Sequence, residues 1–207
     1  MTKGKLIVLE GIDGSGKSTH AVLLKERLER EGYSVFLTRE PTDGEAGELL
    51  RRCLTGESDL PEQAIAGLFM TDRIDHIFRS ETGLLARLGR GETVICDRYY
   101  FSSFAYNGLY APMEWVVEIN RMARENLKPD LNVFLDIRPE VFASRIEARG
   151  VTERYEKIEV LTKVRENYFK AFAMLPDERV AVVDNSRPLE EAAEEVYRQV
   201  KAVLEEK

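Results

Sequence analysis

Short apolar runs alternate with stretches of helical periodicity along most of the chain. The apolar runs predict five strands, at residues 5–9, 33–38, 93–96, 132–137 and 180–183. Between them, apolar residues return every three or four positions, as they do in amphipathic helices. The predicted helices are the segment from Ala21 through Leu28, which stops at Gly32, then 46–54, 61–88, 113–127, helices on both sides of 145–154, and a terminal helix that starts at Pro188.

Strands that are apolar throughout are typical of a parallel sheet with helices on both faces. The pattern therefore predicts an α/β protein with three layers, in which helices cover a doubly wound, five-stranded parallel sheet. Such sheets bind ligands beyond the carboxyl ends of their strands. We therefore expect the site just after Leu9, Thr38, Cys96 and Ile137. The length of 207 residues favours one domain over 1–207.

Composition and charge narrow the classes of function. Hydrophobic residues make up 43% and charged residues 32%, and no apolar run approaches the roughly 20 residues that span a bilayer. The first residues lack a signal-peptide pattern, so we expect a cytoplasmic protein with no membrane contact. A net charge of −7 opposes binding to a nucleic acid polymer. A site that binds an anion must therefore be a local group of positive charges or N–H donors on an otherwise negative protein.

The cysteines and histidines give no sign of a metal site. Cys53 and Cys96 lie far apart and have no CxxC partner, so they are expected to be structural. His20 and His76 fall on helical stretches without a cysteine cluster nearby. We expect both histidines to be surface or partly packed residues.

A glycine-rich stretch follows the first predicted strand and precedes the first predicted helix. Its residues match the phosphate loop GxxxxGK[ST] and are Gly11, Ile12, Asp13, Gly14, Ser15, Gly16, Lys17, Ser18 and Thr19. In such a loop, backbone N–H groups at the helix N-terminus hold phosphate oxygens. Lys17 is then suited to the β- and γ-phosphates, and the Ser18 hydroxyl to Mg²⁺. A glycine-rich turn with a chance lysine would need several coincidences at once.

A phosphate loop alone does not separate a kinase from a GTPase switch or a mechanical ATPase. GTPases ordinarily carry an NKxD motif that reads guanine, and the sequence has none. The nearest string, Asp184-Asn185-Ser186, lacks the lysine. A switch or regulatory protein that binds a nucleotide is therefore disfavoured, although it stays an alternative.

The motif Asp97-Arg98-Tyr99 ends the third predicted strand, beside the phosphate loop. Here the sequence resembles the thymidylate kinases, a family of nucleoside monophosphate kinases that share DR(Y/H) at this point. The resemblance covers nearly the whole chain and implies phosphorylation of dTMP to dTDP with ATP and Mg²⁺, in dTTP synthesis, by a homodimer. It implies that Arg98 holds the acceptor phosphate and that Asp97 acts near Mg²⁺. An Asp-Arg pair that merely ends a strand is the alternative interpretation.

Phe69 and Arg73 are four residues apart on a predicted helix, so they share a face. A ring there can stack on a base while a guanidinium meets its carbonyl edge. In thymidylate kinases an FxxxR pair does this to thymine. Phe69 alone would more often be a core residue, because Ile65 and Ile77 lie on the same stripe.

The same resemblance implies roles for three residues around the acceptor sugar and base. Asp13 is similar to the family carboxylate that accepts a hydrogen bond from the sugar 3′-OH. Tyr106 resembles the aromatic residue that crowds the 2′ position and disfavours ribose. Ser103 lies where the family places a small or polar residue against the base edge.

Two further arginines follow predicted strands. Arg39 belongs to Thr-Arg-Glu-Pro, residues 38–41, which resembles the TREP stretch of bacterial members. It could contact the acceptor phosphate or only a neighbouring carboxylate. Residues 184–187 resemble the family loop that passes over adenine, where the Arg187 guanidinium could stack. A plain helix start at Pro188 is compatible with that role.

Three arginines surround Gly150 in a segment, about 145–156, that resembles the lid of the family; they are Arg145, Arg149 and Arg154. Some thymidylate kinases carry an arginine inside the phosphate loop, where this chain has Gly14 and Ser15. The chain therefore resembles the subtype with lid arginines. An arginine delivered to the moving phosphoryl group can be worth about 10³ to 10⁵ in rate. A solvated basic loop, paired with glutamates 147, 153 or 156, is the alternative.

The closest rival is a related kinase with another acceptor, such as dUMP or an unphosphorylated deoxynucleoside. Arg98 favours an acceptor that already carries a phosphate. With Lys17 and the lid arginines, Arg98 forms the predicted catalytic set.

Overall fold

The computed structural model describes residues 3–138, 141–142 and 158–206. Its strands are Leu6–Glu10 (β1), Val35–Arg39 (β2), Thr93–Asp97 (β3), Leu131–Asp136 (β4) and Val180–Asp184 (β5). They form one sheet in the order β2-β3-β1-β4-β5, and every neighbouring pair is parallel. The prediction of a five-stranded parallel sheet is confirmed.

Described helices follow β1, β2, β3 and β5. Much of the segment directly after β4 lies outside the described residues. In chain order, the described helices are Lys17–Arg30 (α1), Glu45–Leu54 (α2), Glu62–Phe78 (α3), Leu84–Gly89 (α4), Tyr100–Asn107 (α5), Met113–Ile119 (α6), Arg121–Asn126 (α7), Ile158–Met174 (α8) and Leu189–Leu204 (α9). In the described ranges, no helix is both long and apolar enough to cross a membrane.

The central strand β1 is buried on both faces of the sheet. Leu6 and Val8 join the core beneath α5 and α8, whereas Ile7 and Leu9 join the core beneath α1 and α9. Side chains alternate between the two faces of a strand, so a strand without any polar face requires cover on both sides. This double burial explains the continuous apolar run.

The carboxyl ends of the strands bring charged residues to one edge of the sheet. β1, β2 and β3 each extend one residue beyond the predicted end, to Glu10, Arg39 and Asp97. Asp97 pairs in register with Leu9 on one side and with Arg39 on the other. The edge where parallel sheets bind ligands is therefore strongly polar.

Two predicted helices are each divided in the structure. The predicted helix 61–88 is α3 and α4, because the backbone leaves helical geometry at Arg79 (φ −55°, ψ 123°) and turns tightly at Gly83, where a Cβ would lie 2.5 Å from the Arg79 carbonyl oxygen. The predicted helix 113–127 is α6 and α7. Asn120 separates them, and its side-chain amide donates to the Val116 carbonyl.

Helix α5 was not predicted. All eight of its residues are buried, so its sequence has no polar face from which a helical period could be read. Cys53 and Cys96 are free and buried, as expected of structural cysteines. His20 and His76 are more buried than expected, at 1% and 9% exposure, because each forms a hydrogen bond inside the protein.

Candidate active site

The phosphate loop spans the turn between β1 and α1. Gly11, Gly14 and Gly16 all have positive φ angles, which glycine adopts without a steric penalty. A Cβ on Gly11 would also lie 2.9 Å from the Leu135 carbonyl oxygen. The sequence thus folds into a tight loop whose backbone leads directly into the N-terminus of α1, the arrangement that binds phosphate.

Lys17 lies in the first turn of α1 and is buried against this loop. Its Nζ donates to the carbonyl oxygens of Gly11 and Ile12 at 3.1 and 3.0 Å. Burial, followed by the positive charge of Arg98, lowers the pKa of Lys17 to about 8. The amino group is thus held where phosphates would lie, and its charge depends on pH in the physiological range.

Ser18 and Asp97 provide oxygen ligands next to Lys17. The Ser18 hydroxyl donates to Asp97 Oδ2 at 2.7 Å, and Asp97 Oδ1 is buried without a hydrogen-bond partner among the described residues. An unpaired buried carboxylate oxygen is costly. Hydroxyl and carboxylate oxygens are the ligands that Mg²⁺ prefers, so this pair fits such an ion.

Arg98, Asp13 and Tyr106 form a connected group beside the phosphate loop. The Arg98 guanidinium donates to Asp13 Oδ1, and the Tyr106 hydroxyl donates to Asp13 Oδ2 at 2.8 Å. Burial raises the pKa of Asp13, but the charges of Arg98 and Lys17 and the Tyr106 hydrogen bond outweigh it, so the pKa is lowered. Asp13 is therefore held as a carboxylate that can accept hydrogen bonds.

Two cavities meet at Asp13 and Arg98. The first, about 220 Å³, lies over the phosphate loop and includes Lys17, Ser18 and Asp97. The second, about 140 Å³, is lined by Phe69 and by polar residues of α5; its full lining is Asp13, Pro41, Leu54, Phe69, Arg98, Ser102, Ser103, Tyr106 and Asn107. The predicted acceptor residues Asp13, Phe69, Arg98, Ser103 and Tyr106 are thus brought together.

Arg73 lies behind this second cavity and does not line it. Its Nε donates to Glu40 Oε2 at 2.8 Å, and its Nη1 donates to the Ser103 hydroxyl at 3.0 Å and to Asn120 Oδ1. The side chain is only 1% exposed. Arg73 therefore touches the cavity through Ser103, which it orients.

Glu40 and His76 form a buried cluster with Cys96 near Arg73. Their potential metal-ligating atoms lie within 4.8 Å of one another. However, Glu40 is paired with Arg73, and His76 Nδ1 and Nε2 face Glu40 and Thr38 at 3.1 and 2.9 Å. Burial raises the pKa of the Cys96 thiol well above its usual value. Hydrogen bonds therefore account for the cluster without a cation.

Arg39 and Arg187 lie at the margins of the site. Arg39 is exposed and pairs with Asp43 at 3.0 Å, which is the carboxylate contact left open above. It lines a separate groove of about 480 Å³ that also includes Ser18 and Asp97. Arg187 is exposed in the loop after β5, where its Nε donates to the Asp184 carbonyl oxygen at 3.2 Å.

From the sequence, Asn185 was placed in the loop of residues 184–187 without a role of its own, and Glu10 was not singled out; both residues are buried in this region. Asn185 donates to the Ser15 carbonyl oxygen, and its Oδ1 lies 2.8 Å from His20 Nε2, so the loop after β5 is fastened to the phosphate loop. Glu10 accepts hydrogen bonds from the segment that follows Arg98. A carboxylate at the end of an apolar strand was the available signal for Glu10. The lid arginines Arg145, Arg149 and Arg154 lie outside the described residues.

A parallel sheet with a phosphate loop after its central strand is typical of P-loop enzymes. Here a second cavity adjoins the one over the loop and shares Asp13 and Arg98 with it. Comparison with known proteins specifies the family. The family model for thymidylate kinase matches residues 9–196. The chain belongs to the thymidylate kinase family, which confirms the resemblance seen in the sequence.

Similar curated proteins carry the name "Probable thymidylate kinase". One from Pyrococcus horikoshii is 43% identical over 86% of this chain and 87% of its own length. One from Thermococcus kodakarensis is 41% identical over 96% of each chain, and one from Archaeoglobus fulgidus is 38% identical over 96% of each chain. The similarity thus extends over both cavities.

Proposed function

We propose that the protein phosphorylates dTMP to dTDP, with ATP as the donor and Mg²⁺ as the cofactor. Membership of the thymidylate kinase family supports this reaction. The observation that carries the proposal is that Asp13 and Arg98 line both the cavity over the phosphate loop and the cavity beside Phe69. Two phosphorylated ligands in these cavities would meet at Arg98.

The first cavity suits ATP. The backbone of residues 11–19 and the N-terminus of α1 would hold its phosphates. Ser18 and Asp97 would hold Mg²⁺, which when bound offsets negative charge on the phosphates. Lys17 would turn from the loop carbonyls to the β- and γ-phosphates, because a charged acceptor is a stronger partner for an ammonium group than a carbonyl is.

The second cavity suits dTMP. Phe69 would stack on the base, and Ser103, held by Arg73, would lie at its edge. The Asp13 carboxylate would accept a hydrogen bond from the sugar 3′-OH, while Tyr106, which is bonded to Asp13, would leave no room for a 2′-OH. Arg98 would bind the acceptor phosphate.

The chemistry is a direct in-line transfer. An oxygen of the dTMP phosphate forms a bond to the γ-phosphorus while the bond from that phosphorus to the bridging oxygen of ADP breaks. No protein nucleophile takes part. Lys17 and Arg98 offset the negative charge that spreads over the moving group, which is the main task of the protein in this reaction.

Several finer assignments stay predictions from the family resemblance. They are the single domain, the lid at about 145–156 with catalytic roles for Arg145, Arg149 and Arg154, phosphate contact by Arg39, adenine stacking by Arg187, the homodimer and the cytoplasmic location. Sedimentation velocity of the purified protein tests the homodimer directly, because a monomer of 23.7 kDa would sediment measurably more slowly.

The experiment that tests the proposed function is an ADP-release assay over a panel of acceptors: dTMP, dUMP, thymidine and no acceptor. We expect ADP formation that depends on dTMP, because Arg98 requires an acceptor phosphate and the cavity beside Phe69 requires a base. Slow ADP formation without any acceptor would favour the switch or regulatory alternative. A higher rate with thymidine would favour a nucleoside kinase.

The variant Phe69→Ala tests the base site in the same assay. We expect the KM for dTMP to rise about tenfold with little change in the KM for ATP, because base stacking is worth about 1 to 3 kcal/mol. Ile65→Ala is the matched control, since Ile65 is fully buried on the same helix and does not line the cavity. It should lower the melting temperature without this selective effect. Equal losses of dTMP and ATP in Phe69→Ala would identify Phe69 as a core residue.

A further inference from the structure

The apolar strand β1 ends in a fully buried carboxylate, Glu10. The proposed reaction assigns it no task. A buried charge destabilises the fold unless hydrogen bonds replace its lost hydration. The contacts of the Glu10 carboxylate therefore indicate its role. Burial raises the pKa of Glu10, while the hydrogen bond from Ser102 and the charge of Arg98 oppose that rise.

Glu10 accepts four hydrogen bonds, all from groups that can donate. Its Oε1 accepts from the backbone N–H groups of Tyr99 and Ser102 at 3.0 and 3.2 Å. Its Oε2 accepts from the hydroxyl groups of Ser102 and Tyr168 at 2.6 and 2.9 Å. Three of the four bonds therefore come from the five-residue segment that starts at Arg98.

The backbone of that segment needs support. Arg98 has a φ of 72°, the one positive value at a non-glycine residue in the ranges that the structure describes. This left-handed conformation is sterically unfavourable for a residue that carries a side chain. Arg98 N–H donates to the Leu9 carbonyl oxygen at 2.9 Å, and the next N–H, that of Tyr99, donates to Glu10. The last two residues of β1 thus hold the turn.

Glu10 also caps helix α5. This helix has no side-chain cap of its own at Tyr99. The Glu10 carboxylate accepts from Ser102 N–H in its first turn, where a negative charge also interacts favourably with the helix dipole. The start of α5 is therefore fastened to the end of β1.

The side chain of Arg98 is connected to the same carboxylate. The Ser102 hydroxyl donates to Glu10 and accepts from Arg98 Nη1 at 3.1 Å. Because a hydroxyl has one hydrogen to donate, the Glu10 carboxylate determines which way it points. The lone pair of the hydroxyl is then directed at the guanidinium.

We propose that Glu10 is a positioning residue for the acceptor phosphate, which sets the backbone turn of Arg98 through Tyr99 N–H and its guanidinium through the Ser102 hydroxyl. This inference rests on the proposed role of Arg98 as the ligand of that phosphate. Glu10 itself lines neither of the two cavities.

The test is a double-mutant cycle read by calorimetric titration with dTMP and, separately, with ATP. Glu10→Gln keeps the size of the side chain but removes the charge and one acceptor. We expect the Kd for dTMP to rise about tenfold, because a hydrogen bond to a charged group is weakened, and the Kd for ATP to change less than about twofold. In the Arg98→Ala background, Glu10→Gln should have no further effect on dTMP.

Tyr168→Phe is the matched control. It removes one donor from the same carboxylate. The Tyr168 hydroxyl also lies 2.8 Å from the Ser102 hydroxyl, but Tyr168→Phe leaves the Ser102 hydroxyl free to donate to Glu10 and to accept from Arg98, and it leaves the bond from Tyr99 N–H intact. Its Kd for dTMP should stay within about twofold of the wild-type value. Equal losses in Tyr168→Phe and Glu10→Gln, or additive losses in the cycle, would overturn the proposal by showing only a structural role.

The same titrations separate this proposal from the one on which it rests. If Arg98→Ala leaves the Kd for dTMP unchanged, the role of Arg98 itself is wrong. If Arg98→Ala raises the Kd for dTMP and Glu10→Gln does not, only the positioning role fails.

Thermal melts show whether Glu10→Gln folds. If it does not fold, Ser102→Ala removes the hydroxyl that connects Glu10 to Arg98 and leaves the carboxylate in place. This variant should raise the Kd for dTMP in the same selective way.

Discussion

Lys17 shows how a single side chain is prepared for a charged ligand. In the structure its ammonium group is buried, and its partners are two neutral carbonyl groups of its own loop. Burial and the nearby charge of Arg98 lower its pKa to about 8, whereas Asp97 and Asp13 act in the opposite direction. Triphosphate binding would bring negative charge close to Lys17 and raise that pKa again.

ATP affinity should therefore depend on pH. The pKa of Lys17 is lowered, so its charge is present below pH 8 and is lost as the pH rises through about 8. Between about pH 7 and pH 9 we expect the affinity for ATP to fall roughly tenfold, with proton uptake on binding near pH 8. Calorimetric titration in two buffers of different ionisation enthalpy measures both effects.

The control for this prediction is Lys17→Arg. A guanidinium stays charged throughout this range. The fall in affinity between pH 7 and pH 9 should therefore be absent in Lys17→Arg, whatever its absolute affinity. The same fall in both proteins would assign the titration to another group.

At the scale of elements, Arg73 connects parts of the chain that are distant in sequence. It lies on α3 and contacts Glu40 after β2, Ser103 on α5 and Asn120 between α6 and α7. Arg73 and Glu40 are 1% and 2% exposed, so neither charge has water as an alternative partner. Arg73 thus connects α3 with the segment after β2 through Glu40 and with α5 through Ser103.

Removing one member of this pair should strongly destabilise the protein. Arg73→Met leaves the Glu40 carboxylate buried without its main partner, which typically costs about 3 to 5 kcal/mol in the free energy of unfolding. Denaturation by urea measures this change. The double variant Arg73→Met, Glu40→Gln should lose less than the sum of the two single losses.

Arg79→Ala supplies the comparison on the same segment. The pair of Arg79 and Asp75 is about half exposed on each side, so its loss should change the free energy of unfolding by no more than about 0.5 kcal/mol. A similar cost for Arg73→Met and Arg79→Ala would mean that the buried network does not hold the helices in place.

Helices were predicted well where one face meets solvent and poorly where neither does. The terminal helix α9 buries Ala192, Val196, Val200 and Val203 on one face, and the sequence period showed this stripe. Helix α5 is buried all round and has no such period. The boundary between α6 and α7 falls at Asn120, whose side chain forms a hydrogen bond with the Val116 carbonyl oxygen. Such a bond cannot be recognised from the spacing of apolar residues.

At the scale of the whole molecule, the parallel sheet brings the described loops of the site to one edge. The phosphate loop follows β1, Arg98 follows β3, and Asn185 follows β5. Residues that are up to 170 positions apart thus lie in contact, as the bond from Asn185 to the Ser15 carbonyl oxygen shows. Ligands that bind this edge should stabilise the folded molecule as a unit.

Thermal unfolding should therefore respond to each substrate. A ligand at about 100 times its Kd adds about 2.7 kcal/mol to the free energy of unfolding. For a chain of this length that corresponds to a rise of about 5 to 10 °C in Tm. We expect such a rise with dTMP and with ATP, measured by calorimetry.

Phe69→Ala is the control. The same dTMP concentration should give a smaller rise in Tm in this variant, whereas the rise with ATP should be unchanged. Loss of the rise with both ligands would contradict separate sites.

The sequence by itself determined the class of fold, the phosphate loop and the family. These features are encoded by local sequence patterns, namely the apolar runs, the glycine-rich loop with Lys17 and Ser18, and Asp97 with Arg98 at a strand end. Each needs only neighbours along the chain to be recognised.

Only the tertiary structure decided how these residues act on one another. The lowered pKa of Lys17 arises from burial and from Arg98, 81 positions away, and the support of Arg98 arises from Glu10 on another strand. Arg73, predicted at the base, is hydrogen-bonded to Ser103 and is not among the residues that line the cavity. Burial and electrostatic interaction depend on distances through space, and those distances exist only once the strands have assembled into the sheet.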